Sequence, residues 1–313
     1  MKRLLYILSA FLLITFNFVG CKKADQQAAN NFQTFDAFIQ SQPTLSTFAA
    51  ALEKAQLQDF KTGPGAFTWF APTNAAFTAA GILVDQLTPG QLSYILLYHL
   101  ISNGGTNNTG LVTKKDMIAQ NSFARTTQMG NSVFLGTSGD TSYVNGNSII
   151  SADNRVSNGI VHILNGLNIP PNLRGNIPSI LTATNQNNLF ITALTKANRL
   201  TLLSSTSVFT VLAPTDASMT AAGYTTASIN AASVGQIDSL VRYHLFSGSR
   251  FFTNDFANVT TQTTFLGTTG TLQTSSNGKK IIGRKNSSPV DIIVPNLLGT
   301  NGVVHVINGV LKY

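Results

Sequence analysis

The stretch Asn158–Gly166 reads N-G-I-V-H-I-L-N-G, and it returns at Asn301–Gly309 as N-G-V-V-H-V-I-N-G. The histidines of the two stretches, His162 and His305, lie 143 positions apart. In each stretch an Asn-Gly pair, which favours a tight turn, precedes apolar residues on both sides of the histidine. Because both faces of such a strand are apolar, the pattern is typical of a strand that is covered on both sides. The sequence therefore predicts a buried final strand in each of two repeated units.

Two further motifs repeat at nearly the same spacing. The sequence Y-H-L occurs at 98–100 and again at 243–245. The sequence F-A-P-T-N-A-A-F at 70–77 returns as L-A-P-T-D-A-S-M at 212–219. A nearly constant offset over three separate motifs indicates one duplication, and a unit of about 140 residues has the size of a domain. The chain is therefore predicted to contain two similar domains.

The segment before the first copy has the features of an export signal. Residues 1–20 begin with two basic residues and continue as an apolar run that is too short to span a membrane. Cys21 follows directly and is the only cysteine, so an intrachain disulfide is excluded. Its surroundings, F-V-G-C, resemble the lipobox of bacterial lipoproteins, which implies cleavage before Cys21 and acylation of its thiol. The alternative is an ordinary secretion signal with a stray cysteine.

The leader and the repeats together predict the layout of the chain. We expect a signal peptide at 1–20, a lipidated tether at 21–31, a first domain at 32–171, a linker at 172–177 and a second domain at 178–313. By its resemblance to lipoproteins the protein is expected at the bacterial outer membrane, at the cell surface or on the periplasmic face. Its membrane contact would be the lipid on Cys21.

The best-specified helix of each copy ends at the tyrosine–histidine pair. Residues 88–91 read T-P-G-Q and fit a capping box, and residues 233–236, S-V-G-Q, repeat it. Apolar residues then recur at helical spacing as far as His99 in the first copy and His244 in the second. This spacing predicts that both histidines lie on the buried face of a helix, at its C-terminal end.

The composition argues against a nucleic-acid partner. Charged residues form 10% of the chain, well below the roughly 25% of average domains. Lysine and arginine number 20 against 12 acidic residues, which gives a formal net charge of +8. So low a charge content does not suit a nucleic-acid binder, whose lysine and arginine residues should cluster along one face.

One basic cluster occurs in the second copy without a counterpart in the first. It comprises Lys279, Lys280, Arg284 and Lys285. One interpretation is a hairpin that attracts acidic glycans or anionic lipid. The other is a solvated hairpin whose charges protect the edge of a sheet.

The sequence lacks the motifs of common catalytic and cofactor sites. It contains neither G-x-S-x-G nor H-E-x-x-H, and no complete phosphate-binding loop. A single cysteine excludes zinc sites built on cysteine pairs. We therefore predict that the protein is not an enzyme and that it holds no cofactor and no metal.

The three repeated motifs resemble those of the fasciclin domain, over nearly the whole chain after the leader. The resemblance implies an α+β fold in which each of two tandem domains is a wedge of two β-sheets with several packed helices. It also implies adhesion through proteins or polysaccharides, and it nominates as binding residues Tyr98, His99, Tyr243 and His244. A histidine at the end of an apolar stripe also fits a hydrogen-bonded core residue. Asn165 and Asn308 replace the aspartate that is usual in the family.

These features together predict a non-catalytic, lipid-anchored adhesion or matrix-binding protein of the cell envelope. Its partner is expected to be a protein or a polysaccharide of the cell surface or matrix. Two alternatives remain. The protein could be a periplasm-facing structural partner of an outer-membrane complex, or it could capture glycans for an uptake system.

Overall fold

The computed structural model describes residues 32–63, 65–102, 111–120 and 122–313. The predicted signal peptide, Cys21 and the tether lie outside these residues. None of the helices in the described ranges combines the length and hydropathy that a membrane crossing requires.

Within the described residues, each copy of the repeat contains seven strands and a set of short helices. The first copy comprises α1 (Phe35–Gln40), α2 (Ser46–Lys54), α3 (Gln58–Thr62), β1 (Phe67–Pro72), α4 (Asn74–Ala79), α5 (Pro89–Leu97), β2 (Leu100–Ile101), α6 (Lys114–Gln120), β3 (Ser122–Thr126), β4 (Ser132–Ser138), β5 (Thr141–Val144), β6 (Asn147–Val156) and β7 (Gly159–Leu164). Short 3₁₀ helices at Pro43–Leu45 and Val84–Gln86 complete it.

The second copy repeats this order after a one-turn helix. It comprises α7 (Pro171–Arg174), α8 (Ile177–Ala183), α9 (Asn188–Lys196), α10 (Leu200–Ser204), β8 (Phe209–Pro214), α11 (Asp216–Ala221), α12 (Thr226–Ala231), α13 (Val234–Tyr243), β9 (Leu245–Ser247), α14 (Thr253–Asn258), β10 (Thr261–Thr263), β11 (Thr271–Thr274), β12 (Lys280–Gly283), β13 (Val290–Gly299) and β14 (Gly302–Ile307).

The seven strands of each copy are hydrogen-bonded in one continuous series, and this series bends at its longest strand. In the first copy the order is β2-β1-β7-β6-β5-β4-β3, and in the second it is β9-β8-β14-β13-β12-β11-β10. β6 pairs with β5 at its start and with β7 along its length, with register shifts between Ile149 and Asn154. Such bulges bend a strand, so β6 belongs to both walls of a wedge. The predicted α+β wedge is confirmed in both copies.

Strand β1 shows why each copy has two apolar cores. Successive side chains of a strand point to opposite faces. Trp69 therefore joins the core under the helices, where it contacts Phe35 and Phe48. Its neighbour Phe70 joins the core inside the wedge, together with Tyr98. The final strand β7 pairs with β1 in parallel and is buried on both faces, as the motif predicts.

The predicted capping boxes are present at the helices that carry the tyrosine–histidine pairs. The Gln91 backbone N–H donates to the Thr88 hydroxyl at 3.3 Å, and the Thr88 N–H donates to Gln91 Oε1 at 2.9 Å. Ser233 and Gln236 make the same exchange at the start of α13. These caps fix where α5 and α13 begin, and thereby where their last turns fall.

The two copies meet where α14 of the second copy packs on β4 of the first. The rings of Phe134 and Phe252 lie 5.9 Å apart, and the guanidinium of Arg250 lies 5.1 Å from the centre of the Phe134 ring. The Asn296 side-chain amide donates to the Gly146 carbonyl at 3.2 Å. An aromatic contact and a direct hydrogen bond therefore join the copies.

Residues of the predicted linker at 172–177 take part in local structure. Its first residues belong to α7, and the Asn176 side chain accepts from the Ser179 N–H at the start of α8. The Ile177 N–H donates to Asn301 Oδ1 of the second copy at 2.9 Å. The boundaries of the predicted domains and linker stay predictions.

Candidate functional site

The Tyr98–His99 pair lies in the interior of the first copy, where α5 ends. Both side chains are fully buried. His99 Nδ1–H donates to the Ile95 carbonyl at 2.9 Å, and His99 Nε2 accepts from the Asn168 N–H at 2.9 Å. The Tyr98 hydroxyl donates to the Ser132 carbonyl at 2.8 Å. The pair thus ties a helix end to the segment after β7 and to β4.

The Tyr243–His244 pair repeats this arrangement in the second copy. His244 Nδ1–H donates to the Leu240 carbonyl at 2.8 Å, and Nε2 accepts from the Leu311 N–H at 3.0 Å. The Tyr243 hydroxyl accepts from the Arg284 N–H at 2.8 Å. The structure therefore places one nominated tyrosine beside the backbone of the basic cluster.

The histidines of the final strands are also bonded at both ring nitrogens. His162 Nε2–H donates to the Val112 carbonyl at 2.7 Å, and Nδ1 accepts from the Asp153 N–H at 3.2 Å. His305 makes the equivalent bonds to the Phe251 carbonyl at 2.8 Å and the Asn296 N–H at 3.2 Å. In each of the four histidines one nitrogen donates and the other accepts, which requires the neutral ring.

Sequence reasoning missed the partners of these two histidines. Asp153 and Asn296 lie in the bends of β6 and β13 with φ of 57° and 59°. Aspartate and asparagine tolerate this left-handed conformation better than other residues with a side chain. Their side chains then accept from the first N–H of a helix, Lys114 in the first copy and Thr253 in the second. The available signal was an Asp or Asn nine residues before the histidine of the repeated motif.

Burial sets the charge of the histidines. It lowers the pKa of His99, His244 and His305 to about 4, and it also lowers the pKa of His162. A neutral ring with both nitrogens bonded has no free lone pair for a substrate proton or a metal ion. Among the described residues, no group of three or more histidine, cysteine, aspartate or glutamate side chains has the arrangement of a metal site.

The burial bears on the predicted binding role of Tyr98, His99, Tyr243 and His244. Each of the four has a relative exposure of 0%, so a partner at the surface does not touch these side chains in this structure. Their hydrogen bonds match the alternative prediction of core residues. A binding role for the four stays a prediction.

The basic cluster is exposed, but its members have different surroundings. Lys280 forms an ion pair with Asp291, whereas Lys279 lines a cleft between the two copies. Arg284 and Lys285 lie beyond the end of β12 and are exposed. Because β12 pairs with both β11 and β13, it is not an edge strand. The charges therefore do not protect a sheet edge.

The asparagine at 308 has a physical role. Its Oδ1 accepts from the Asp291 N–H at 2.8 Å, and its Nδ2 donates to the Asp291 carboxylate at 3.2 Å. An aspartate at 308 would lack the second donor and would place a like charge beside Asp291. Asn165, the equivalent in the first copy, is exposed and lines the cleft between the copies.

The motifs and the fold have counterparts among known proteins. A model of the fasciclin domain matches residues 43–170 and 185–313. Protein sll1483 of Synechocystis sp. is 30% identical over 151 residues, which cover 47% of this chain and 78% of that protein. Human periostin is 31% identical over 128 residues, which are 40% of this chain and 14% of periostin. A FAS1 domain pair from the insect cell adhesion molecule fasciclin I has a TM-score of 0.41 at 18% identity, with 86% of this chain and 97% of that chain covered.

Proposed function

The chain belongs to the fasciclin domain family, and from this membership we propose a non-catalytic, lipid-anchored adhesion or matrix-binding protein of the cell envelope. Fasciclin domains occur in adhesion and matrix proteins. The observation that carries the proposal is the presence of two such domains behind a leader that resembles a lipobox. We propose that the domains act through contacts with proteins or polysaccharides of the cell surface or matrix.

The state of the histidines supports a non-catalytic role. A general base needs an accessible lone pair near the proton that it removes. All four histidines of the chain are fully buried, and each has one nitrogen donating and the other accepting. These residues therefore contribute to the stability of the scaffold. The proposed contacts with a partner are made by residues at the surface of the domains.

The anchoring part of the proposal predicts the result of a Cys21→Ala substitution. Several acyl chains on one cysteine anchor a protein stably, whereas a chain without them has no comparable membrane affinity. We expect the wild type to sediment with the outer membrane and the Cys21→Ala protein to appear in the soluble fraction. The measurement is fractionation of cells followed by immunoblotting.

A Ser204→Ala variant provides the control, since Ser204 is an exposed residue far along the chain. Its fractionation is expected to match that of the wild type. Sedimentation of the Cys21→Ala protein with the outer membrane, at the level of the wild type, would contradict lipid anchoring.

A further inference from the structure

A polar cleft lies where the two copies meet. It has a volume of about 480 Å³, within the roughly 300–1,000 Å³ range of small-molecule sites. The first copy lines it with Tyr143 and Asn165, and the second copy lines it with Asn254 and Lys279. Arg174, on the one-turn helix between the copies, also lines the cleft and adds a second positive charge to that of Lys279.

The charge of the cleft is uncompensated. Arg174 and Lys279 are cationic, and neither an aspartate nor a glutamate is among the described residues that line it. Arg174 is half-buried, its pKa is lowered by that burial, and it forms neither an ion pair nor a hydrogen bond with another described residue. Removing part of a guanidinium from water without a partner is unfavourable. An anion in the cleft would remove that cost.

A buried amide oxygen also lacks a partner at this place. Asn254 is 4% exposed, and its Oδ1 has no hydrogen-bond partner among the described residues. Its Nδ2 is committed to Asp255 Oδ1 at 3.0 Å, which fixes the side chain. A buried acceptor without a donor costs about 1–3 kcal/mol. A ligand hydroxyl in the cleft would supply that donor.

We propose that this cleft binds a carboxylate-bearing sugar unit of an acidic polysaccharide. The proposal rests on the proposed function, and it names the class of polymer and the place where that polymer binds. A guanidinium pairs with a carboxylate through two parallel hydrogen bonds. The Asn165 amide offers a donor and an acceptor, which suits sugar hydroxyls. Asn277 offers only its Nδ2 donor, because its Oδ1 already accepts from the Ser275 hydroxyl and the Lys279 N–H. Tyr143 adds an aromatic side chain with a polar tip.

An oligogalacturonide is the probe for this site. We expect the purified full chain in detergent to bind a galacturonate pentamer and to bind its methyl ester much more weakly. Arg174→Gln and Lys279→Gln are each expected to weaken binding about 10- to 100-fold, because each removes a charge-assisted contact. Asn165→Asp, which introduces a negative charge into the cleft, is expected to weaken it as well. Isothermal titration calorimetry gives the affinities.

Lys285→Gln is the matched control, because Lys285 belongs to the same basic cluster but does not line the cleft. Its affinity is expected to equal that of the wild type, and Arg174→Lys is expected to retain more affinity than Arg174→Gln. A melting temperature close to that of the wild type is expected for each variant and would show that it folds.

Four binding results would overturn the proposal. They are the absence of galacturonate binding, equal binding of the methyl ester, equal weakening by Lys285→Gln, and binding of a polyglutamate peptide in place of the sugar. An Arg174→Gln protein that still supports cell attachment would overturn the proposed role of the cleft while leaving the adhesion role intact. Failure of attachment by the wild type itself would instead contradict the proposed function.

Discussion

Lowering the pH from 7 to 5 is expected to reduce the free energy of unfolding by about 2 kcal/mol for each histidine whose pKa is about 4 when folded. These residues are His99, His244 and His305. In the unfolded chain a histidine has a pKa near 6.5, so the unfolded state gains protons over this interval while the folded state stays neutral. Stability is therefore full above pH 6.5 and falls as the pH approaches 4.

Urea unfolding at pH 7, 6 and 5 measures this effect. The interval ends above the pKa of ordinary carboxylates, so most of them stay ionised throughout. Asp255 acts in the opposite direction, because burial raises its pKa and the folded state gains stability as this carboxyl binds a proton.

The control is His99→Gln, which removes one titrating group. This variant is expected to be less stable at pH 7, because the Asn168 N–H loses its acceptor. From pH 7 to 5 it should lose about 2 kcal/mol less than the wild type. An equal loss in the two proteins would show that His99 does not titrate as a buried neutral group.

Substitution of Gly146 by valine is expected to uncouple the two domains. Gly146 has a φ of 79°, and a Cβ atom at this position would overlap the Asn296 side chain. A side chain in this conformation costs about 1–2 kcal/mol, and the overlap with Asn296 adds an overpacking cost of about 1–3 kcal/mol. The hydrogen bond from Asn296 to the Gly146 carbonyl would be lost as well.

Calorimetry distinguishes this effect from simple strain. We expect one unfolding transition for the wild type and two separate transitions for Gly146→Val, with the first domain destabilised. Gly139→Val is the matched control, since Gly139 has a φ of 54° but open space around its Cβ position. It should lose only about 1–2 kcal/mol and keep one transition. Identical thermograms for the two variants would show that the Asn296 contact does not couple the domains.

Local patterns in the sequence were sufficient to predict single elements of the scaffold, whereas the wedge of two sheets was implied by the family resemblance. The capping box at Thr88 and the apolar spacing up to His99 depend on neighbours a few residues apart, so the helix, its start and the burial of its histidine were predictable. The same holds for the final strand, whose two apolar faces reflect its place between two cores, with Val161 in the core under the helices and Leu164 in the core inside the wedge.

Contacts between distant segments were beyond such patterns. The tyrosine–histidine pairs appear as motifs, yet their partners, such as Asn168 and Leu311, lie far along the chain. The bends at Asp153 and Asn296 depend on a bulge that no periodicity reveals. The cleft needs both copies and Arg174, and only tertiary structure brings these together. For the same reason the basic cluster, one unit in the sequence, divides into residues with different surroundings.

Attachment of cells tests the central claim, that the protein is an anchored adhesin without catalytic activity. The measurement compares the native bacterium, a strain lacking the gene, and that strain complemented with wild type or with Cys21→Ala, on surfaces coated with extracellular matrix. We predict that loss of the gene reduces attachment several-fold, that the wild type restores it, and that the Cys21→Ala protein does not. Equal attachment with and without the gene, or full restoration by Cys21→Ala, would contradict the account.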